Sequence, residues 1–166
     1  MIDLARMTPS DVPDLLDFLA RADLTLSGLD DPEMRLWLLR DEHGRVHGST
    51  GYELSKDGRH ALIRSVAVEK HLRGSGTGLE LASWALQRAA AEGAERAWLF
   101  SRRSGPFWQR LGFTAADRDE LADALAETRQ VELFRHSGQL QQEVAWSRPL
   151  DRDASAPVAA GPMETC

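Results

Sequence analysis

The stretch from Ser65 to Gly78 constrains this chain more than any other. Ser65-Val66-Ala67-Val68 ends an apolar, strand-like run, and Glu69 to Arg73 makes a polar turn. Gly74, Gly76 and Gly78 then lead into a long amphipathic helix. Glycines at alternate positions remove every other side chain, so backbone N–H groups can converge on one anion. The helix adds its free N-terminal N–H groups and the positive end of its dipole. A phosphate or pyrophosphate suits that geometry. No lysine follows Gly78, which excludes a P-loop, and Leu79 stands where the dinucleotide fingerprint needs its third glycine. The pattern present is Arg-x-x-Gly-x-Gly, from Arg73 to Gly78. The plainer alternative is a glycine-rich strand–helix turn with Thr77 and Glu80 as a capping box.

A length of 166 residues suits one domain with a sizeable core. The net charge of −6 argues against nucleic acid as a partner, since phosphate-backbone binding needs a basic face. The single cysteine, Cys166, is the last residue, so no disulfide framework exists. No apolar run reaches membrane-span length and the N-terminus has no signal-like segment, so the expected location is cytoplasmic. No internal repeat is visible, and a monomer or homodimer without a metal is expected.

Along the chain, Ile2 to Arg6 reads as a first strand. Thr8 and Pro9 open a helix whose apolar stripe is Val12, Leu15, Leu16 and Leu19. Asp23 to Asp31 reads as a loop or short helical turns. Three antiparallel strands follow, Met34 to Arg40, Arg45 to Leu54 and His60 to Val68, the last two joined by a turn at Lys56-Asp57-Gly58. A helix from about Thr77 to Glu92 is expected to bury Leu79, Ala82, Leu86, Ala89 and Ala90 and to stop at Gly93. Ala97 to Phe100 then makes a short buried strand, parallel to the one ending at Val68. A short helix covers Pro106 to Leu111, another covers Glu120 to Thr128, and Gln139 to Trp146 alternates like a last strand.

Arg73 to Gly78 after a strand resembles the coenzyme A pyrophosphate loop of the GCN5-related N-acetyltransferases (GNAT). Pro106-Phe107-Trp108-Gln109-Arg110-Leu111-Gly112-Phe113 resembles that family's second signature. Two motifs at the expected separation carry more weight than either alone. Ile63 to Val68 and Glu127-Thr128-Arg129 look most like the small acetyltransferases associated with arsenic-resistance operons. The acetyltransferase domain of N-acetylglutamate synthase is a second relative. The tail departs from the first group: Phe134-Arg135-His136-Ser137-Gly138 stands where those proteins carry a Cys-Pro-Ser stretch.

The resemblance implies an α/β (α+β) fold: one GNAT domain, residues 1–148, then a disordered tail, 149–166. Its mixed, mostly antiparallel sheet is splayed at the centre, with helices on both faces. It implies acetyl-CoA as co-substrate, with pantetheine pairing to the backbone of Val66, Ala67 and Val68 like an added strand. The pyrophosphate then rests on Arg73, Gly74, Ser75, Gly76, Thr77 and Gly78, and Ser101 stands near the pantetheine. Core packing is the plain alternative for Val66 and Val68, and both roles can coexist.

Trp108 occupies a position where many relatives place a tyrosine that protonates the departing thiolate. An indole N–H has no proton to give at neutral pH, so Trp108 reads as a packing anchor. Leu62 stands where some relatives carry a glutamate base, and hairpin parity offers Glu53 instead, on the face shared with His60, Leu62 and Arg64. A structural pair between Glu53 and Arg64 or Arg59 is the alternative. Arg64 interrupts an apolar strand, and Arg102 and Arg103 follow the short parallel strand. Guanidinium groups bind carboxylates in pairs of hydrogen bonds, so these three suggest a small acceptor with both an amine and an anionic group. Surface solvation is the alternative for Arg102 and Arg103. The expected function is acetyl transfer to such an amine by direct attack. A non-catalytic acyl-CoA sensor and a protein N-terminal or lysine acetyltransferase are the competing readings.

Overall fold

The structure, a computed structural model, describes residues 2–24, 28–29, 31 and 33–151. Among them, seven strands form one sheet in the order β1-β2-β3-β4-β5-β7-β6. The strands are β1 (Ala5–Arg6), β2 (Arg35–Arg40), β3 (Val46–Leu54), β4 (His60–Val68), β5 (Arg96–Phe100), β6 (Thr114–Ala116) and β7 (Ala145–Pro149). All neighbours run antiparallel except β4 and β5. The helices are α1 (Val12–Arg21), α2 (Thr77–Ala91), α3 (Gly105–Arg110), α4 (Arg118–Ala124) and α5 (Arg129–Ser137). Parts of the Asp23–Asp31 segment and residues 152–166, with Cys166, lie outside the described residues.

The sheet buries both faces. On one, α2 and α3 share a cluster that includes Tyr52, Ile63, Ala82, Leu99 and Trp108. On the other, α1 packs Leu15, Phe18 and Leu19 against Leu36 and Leu38. Beside it α4 and α5 pack Leu121, Val131 and Phe134 against Leu62 and Trp98. At about 25 cal/mol per Å² of apolar surface, such burial is the main force holding the layers together. Leu150, just beyond β7, is buried in the first cluster and donates its N–H to the Glu95 carbonyl at 2.7 Å.

Gly51 keeps β2 and β3 close. A Cβ there would stand 2.4 Å from the Arg35 carbonyl oxygen and 2.4 Å from Leu36 Cδ2. The close approach expected of a glycine inside a strand is therefore real at this position.

Several elements differ from the sequence reading: β1 holds only Ala5 and Arg6, β6 and α5 are additional, and three others change as follows. α2 buries Leu81 and Ala85, while Leu79 stays half-exposed in the first turn. The helix expected at Glu120 to Thr128 stops at Ala124, and Thr128 instead caps α5, accepting from the Val131 N–H at 3.4 Å. The strand expected at Gln139 to Trp146 begins only at Ala145. Gln139–Gln142 is a 3-10 turn, and the Arg118 guanidinium donates to the Gln141 carbonyl at 2.6 Å and the Glu143 carbonyl at 3.3 Å.

Candidate active site

β4 and β5 pair only where His60, Ala61 and Leu62 meet Arg96, Ala97 and Trp98. Beyond that point β4 continues along β3 to Val68, and β5 turns to β7 with Phe100 opposite Ala145. Two parallel strands that share three rungs and then part leave a wedge-shaped gap in mid-sheet. The β5-facing edge of β4 from Ile63 to Val68 is left without a strand partner. An extended ligand with amide groups can hydrogen-bond to such an edge as a strand would. Val66, Ala67 and Val68 lie there, half-buried.

At the narrow end of the gap β4 carries a bulge. Gly51 faces Arg64 and Ser49 faces Ala67, so Thr50 alone stands against Ser65 and Val66. Ser65 takes φ = +61°, in the left-handed region that non-glycine residues seldom occupy. Its carbonyl accepts a 2.5 Å hydrogen bond from Ser49 Oγ.

At the wide end, Lys70–Leu72 makes one 3-10 turn and the chain bends back through Gly74 (φ +82°) and Gly76 (φ +92°) into α2. A Cβ at either glycine would meet nothing within 4 Å, so the space above both is open. Gly76 is the residue that caps α2, so the alternative box of Thr77 with Glu80 does not form. The first intrahelical bond runs from the Glu80 N–H to the Gly76 carbonyl at 3.1 Å, which leaves the N–H groups of Thr77 to Leu79 outside the helical ladder. Ser75 Oγ sits 2.9 Å from Thr77 Oγ1, and Arg73 is exposed beside them. Phe107, on α3, stands 3.6 Å from where a Gly78 Cβ would be. Trp108 is buried between Phe107 and Phe113, with ring centroids at 5.0 and 5.4 Å. Ser101 is half-buried just past the end of β5: its Oγ accepts from the Ser104 N–H at 3.0 Å and its carbonyl from Trp146 Nε1 at 2.9 Å.

Glu53 and Arg64 share a face, as parity required, and they meet. Arg64 Nη1 donates to Glu53 Oε2 at 3.0 Å, with only 1% of the Arg64 side chain exposed. Glu53 Oε1 also accepts the Arg129 N–H at 2.7 Å, and Oε2 the Gln130 N–H at 3.4 Å. The carboxylate thus holds a buried cation and the first turn of α5 together, where the helix dipole favours negative charge. Burial pushes the Arg64 guanidinium below its ordinary value, and Glu53 pulls it back. Arg102 and Arg103 stay on the surface, 51% and 71% exposed, paired with Glu143 at 3.4 Å and Asp23 at 3.1 Å.

Arg129 Nε donates to Asp31 at 2.7 Å, and that bond holds the Asp31 carboxyl below the usual carboxylate range. A cavity of about 550 Å³ opens beside Asp31, Glu53, Lys56 and Arg129, at the hairpin end of β4 and away from the glycine loop. Sequence reasoning gave Ser65 no role, because a bulge leaves no mark in composition, and it named Phe107 only within the second signature, without placing it against Gly78.

Comparison with known proteins agrees with this geometry. The model of the acetyltransferase (GNAT) family matches residues 3–113. Among curated proteins the chain has no match. N-acetylglutamate synthase from Neisseria gonorrhoeae, complexed with coenzyme A and N-acetyl-glutamate, is a structural neighbour at 18% identity and a TM-score of 0.70. The alignment covers 92% of this chain but 36% of that one, so this chain spans about a third of that protein's length. Rv2747 from Mycobacterium tuberculosis, in complex with CoA and NLQ, is 20% identical at a TM-score of 0.69, covering 90% of this chain and 99% of the other. Tetrahymena GCN5 is 14% identical at a TM-score of 0.70, covering 91% and 98%.

Proposed function

Since this chain belongs to the acetyltransferase (GNAT) family, we propose that it moves the acetyl group of acetyl-CoA to the primary amine of a small, anionic, amino-acid-like acceptor. The observation that carries the reading is the open gap between β4 and β5, with the glycine loop and the start of α2 at its wide end. The pyrophosphate is held by Arg73 to Gly78, and pantetheine lies along Val66 to Val68. The thioester then reaches the narrow end, near Ser65. Direct attack in a ternary complex asks for positioning above all, since holding two reactants together is worth several kcal/mol, about 7–11 at best. Main-chain N–H groups at the bulge polarise the carbonyl as charge develops on it. The thiolate leaves without an acid, because a cysteine-like thiol has a pKa of about 8.5. Trp108 packs α3 against the core.

The roles first considered for Glu53 and Arg64 are reassigned in this proposal. A base needs a free lone pair facing the amine, and Glu53 is engaged by three donors. An anion site needs an accessible guanidinium, and Arg64 is enclosed. The two brace β3, β4 and α5, and the acceptor's anionic group passes to Arg102 or Arg103, whose own side chains are exposed; the Arg103–Asp23 pair lies on the surface and is weak enough to exchange, while Arg102 faces the buried Glu143 carboxylate.

The test is a panel of primary amines assayed by thiol release from acetyl-CoA. Each carboxylate, phosphonate or arsonate member is matched with a neutral amide or ester. We expect kcat/KM at least tenfold higher for the anionic member of the best pair, through KM. Equal values across every pair would refute the anionic acceptor.

A further inference from the structure

Ser65 is the most unusual residue at the narrow end of the gap: the bulge sets its backbone, but no partner among the described residues meets its side chain. It is 8% exposed, and its Oγ is fully buried with no hydrogen-bond partner among the described residues. The neighbouring hydroxyls are spent: Ser49 Oγ donates to the Ser65 carbonyl at 2.5 Å, and Thr50 Oγ1 donates to the Leu81 carbonyl at 2.7 Å. A buried hydroxyl without a partner is costly, and a serine at φ = +61° adds backbone strain. Alanine would avoid the first cost and glycine would avoid both. Features that cost stability in two ways at one residue are concentrated where a ligand offsets them.

The position says which part of the ligand. Ser65 lies three residues past Leu62, the last rung shared with β5, and so at the narrow end of the gap. The glycine loop is at the other end, beyond Val68. A coenzyme A anchored by its pyrophosphate at the loop therefore brings its acyl end, not its amides, to Ser65. A thioester carbonyl can only accept a hydrogen bond, and a serine hydroxyl can donate one.

We propose that Ser65 Oγ–H donates to the thioester carbonyl oxygen of bound acetyl-CoA and follows that oxygen as it becomes an oxyanion. The inference rests on the acetyltransferase reading above. In the step, the amine lone pair forms the C–N bond and the carbonyl π pair moves onto oxygen. Collapse restores the carbonyl and breaks the C–S bond, coenzyme A leaves as thiolate, and the nitrogen's proton goes to water. Ser65 keeps its own proton throughout.

The experiment uses the full chain and needs no acceptor. Calorimetry gives Kd for coenzyme A and for acetyl-CoA on wild type, Ser65→Ala and Ser65→Gly. Infrared difference spectra with carbonyl-labelled acetyl-CoA give the thioester stretch, which falls when the oxygen accepts a hydrogen bond. In both variants we expect the acetyl-CoA Kd to rise about two- to tenfold, the net worth of one hydrogen bond. The coenzyme A Kd should stay unchanged, and the stretch should move back toward its free value. Thermal midpoints should hold or rise, because an unpartnered hydroxyl has been removed. Glycine also relieves the strain, so it keeps the test open if the alanine variant folds poorly. Variants with wild-type Kd values and an unshifted stretch overturn this role and leave the acetyltransferase reading standing. Wild type that binds neither coenzyme A nor acetyl-CoA overturns that reading and this one with it.

Discussion

Gly76→Val abolishes measurable coenzyme A binding while the fold survives. The loop offers its backbone because Gly74 and Gly76 present no side chain, and a Cβ on Gly76 would enter open space. A valine fills that space with two methyl groups just where the pyrophosphate has to approach the N–H groups at the start of α2. Losing two charge-assisted hydrogen bonds at roughly 1.5–3 kcal/mol each weakens binding by a hundredfold or more. Valine at φ = +92° also costs stability, about 1–3 kcal/mol. Gly44 supplies the control, since its φ is +81° and its Cβ would also meet nothing within 4 Å, but it sits in the β2–β3 turn. Gly44→Val should therefore lose similar stability and bind coenzyme A normally. Calorimetry on both variants checks this, and unchanged affinity in Gly76→Val defeats the loop assignment.

The second large effect is on stability. Glu53→Ala should destabilise the protein by about 3–5 kcal/mol, read as a shift in urea midpoint, because it strands a buried guanidinium without its counter-charge. The N–H groups of Arg129 and Gln130 lose their acceptor in the same stroke. Arg64→Ala strands the carboxylate and should cost a comparable amount. Replacing both at once with apolar residues of similar volume, Glu53→Leu with Arg64→Met, should recover the part of the loss due to the stranded charge, since a buried pair is often exchangeable for good packing, but not the part due to the Arg129 and Gln130 N–H groups. If Glu53 were a catalytic base, Glu53→Gln would lower kcat a hundredfold or more with the midpoint nearly unmoved. If Arg64 held the acceptor, Arg64→Ala would raise KM selectively. Either result would return the pair to the chemistry.

Much of this was legible in the chain, and the reasons differ by element. His60 to Val68 has its observed ends because a mostly apolar run, Ala61 to Ile63 and Val66 to Val68, lies between a Lys-Asp-Gly turn and a polar segment. The hairpin's parity is enough to place Glu53 and Arg64 on one face, since side chains in a strand alternate. α5 escaped because it is polar on most sides, with only Val131 and Phe134 among its buried apolar residues. Its end markers were nonetheless present: Thr128 as cap, Arg135 and His136 in the last turn, and Gly138 at φ = +80°. The final strand was placed too early because Gln139 to Trp146 alternates by chance, while the pairing with β5 runs from Ala145 to Pro149. The bulge at Ser65 depends on register against β3, a tertiary property that no local pattern encodes. The engagement of Glu53 by α5 was hidden for the same reason, since 76 residues separate Glu53 from Arg129.

The central claim is that this protein transfers acetyl groups from acetyl-CoA to an amine. Its most direct measurement pairs thiol release with mass spectrometry of the product, using wild-type protein, acetyl-CoA and the amine panel. The account predicts one free thiol for each N-acetylated amine with at least one panel member, and none with Gly76→Val. Tight acetyl-CoA binding without thiol release above the uncatalysed rate for any amine would contradict it, and would make the gap between β4 and β5 the site of an acyl-CoA sensor.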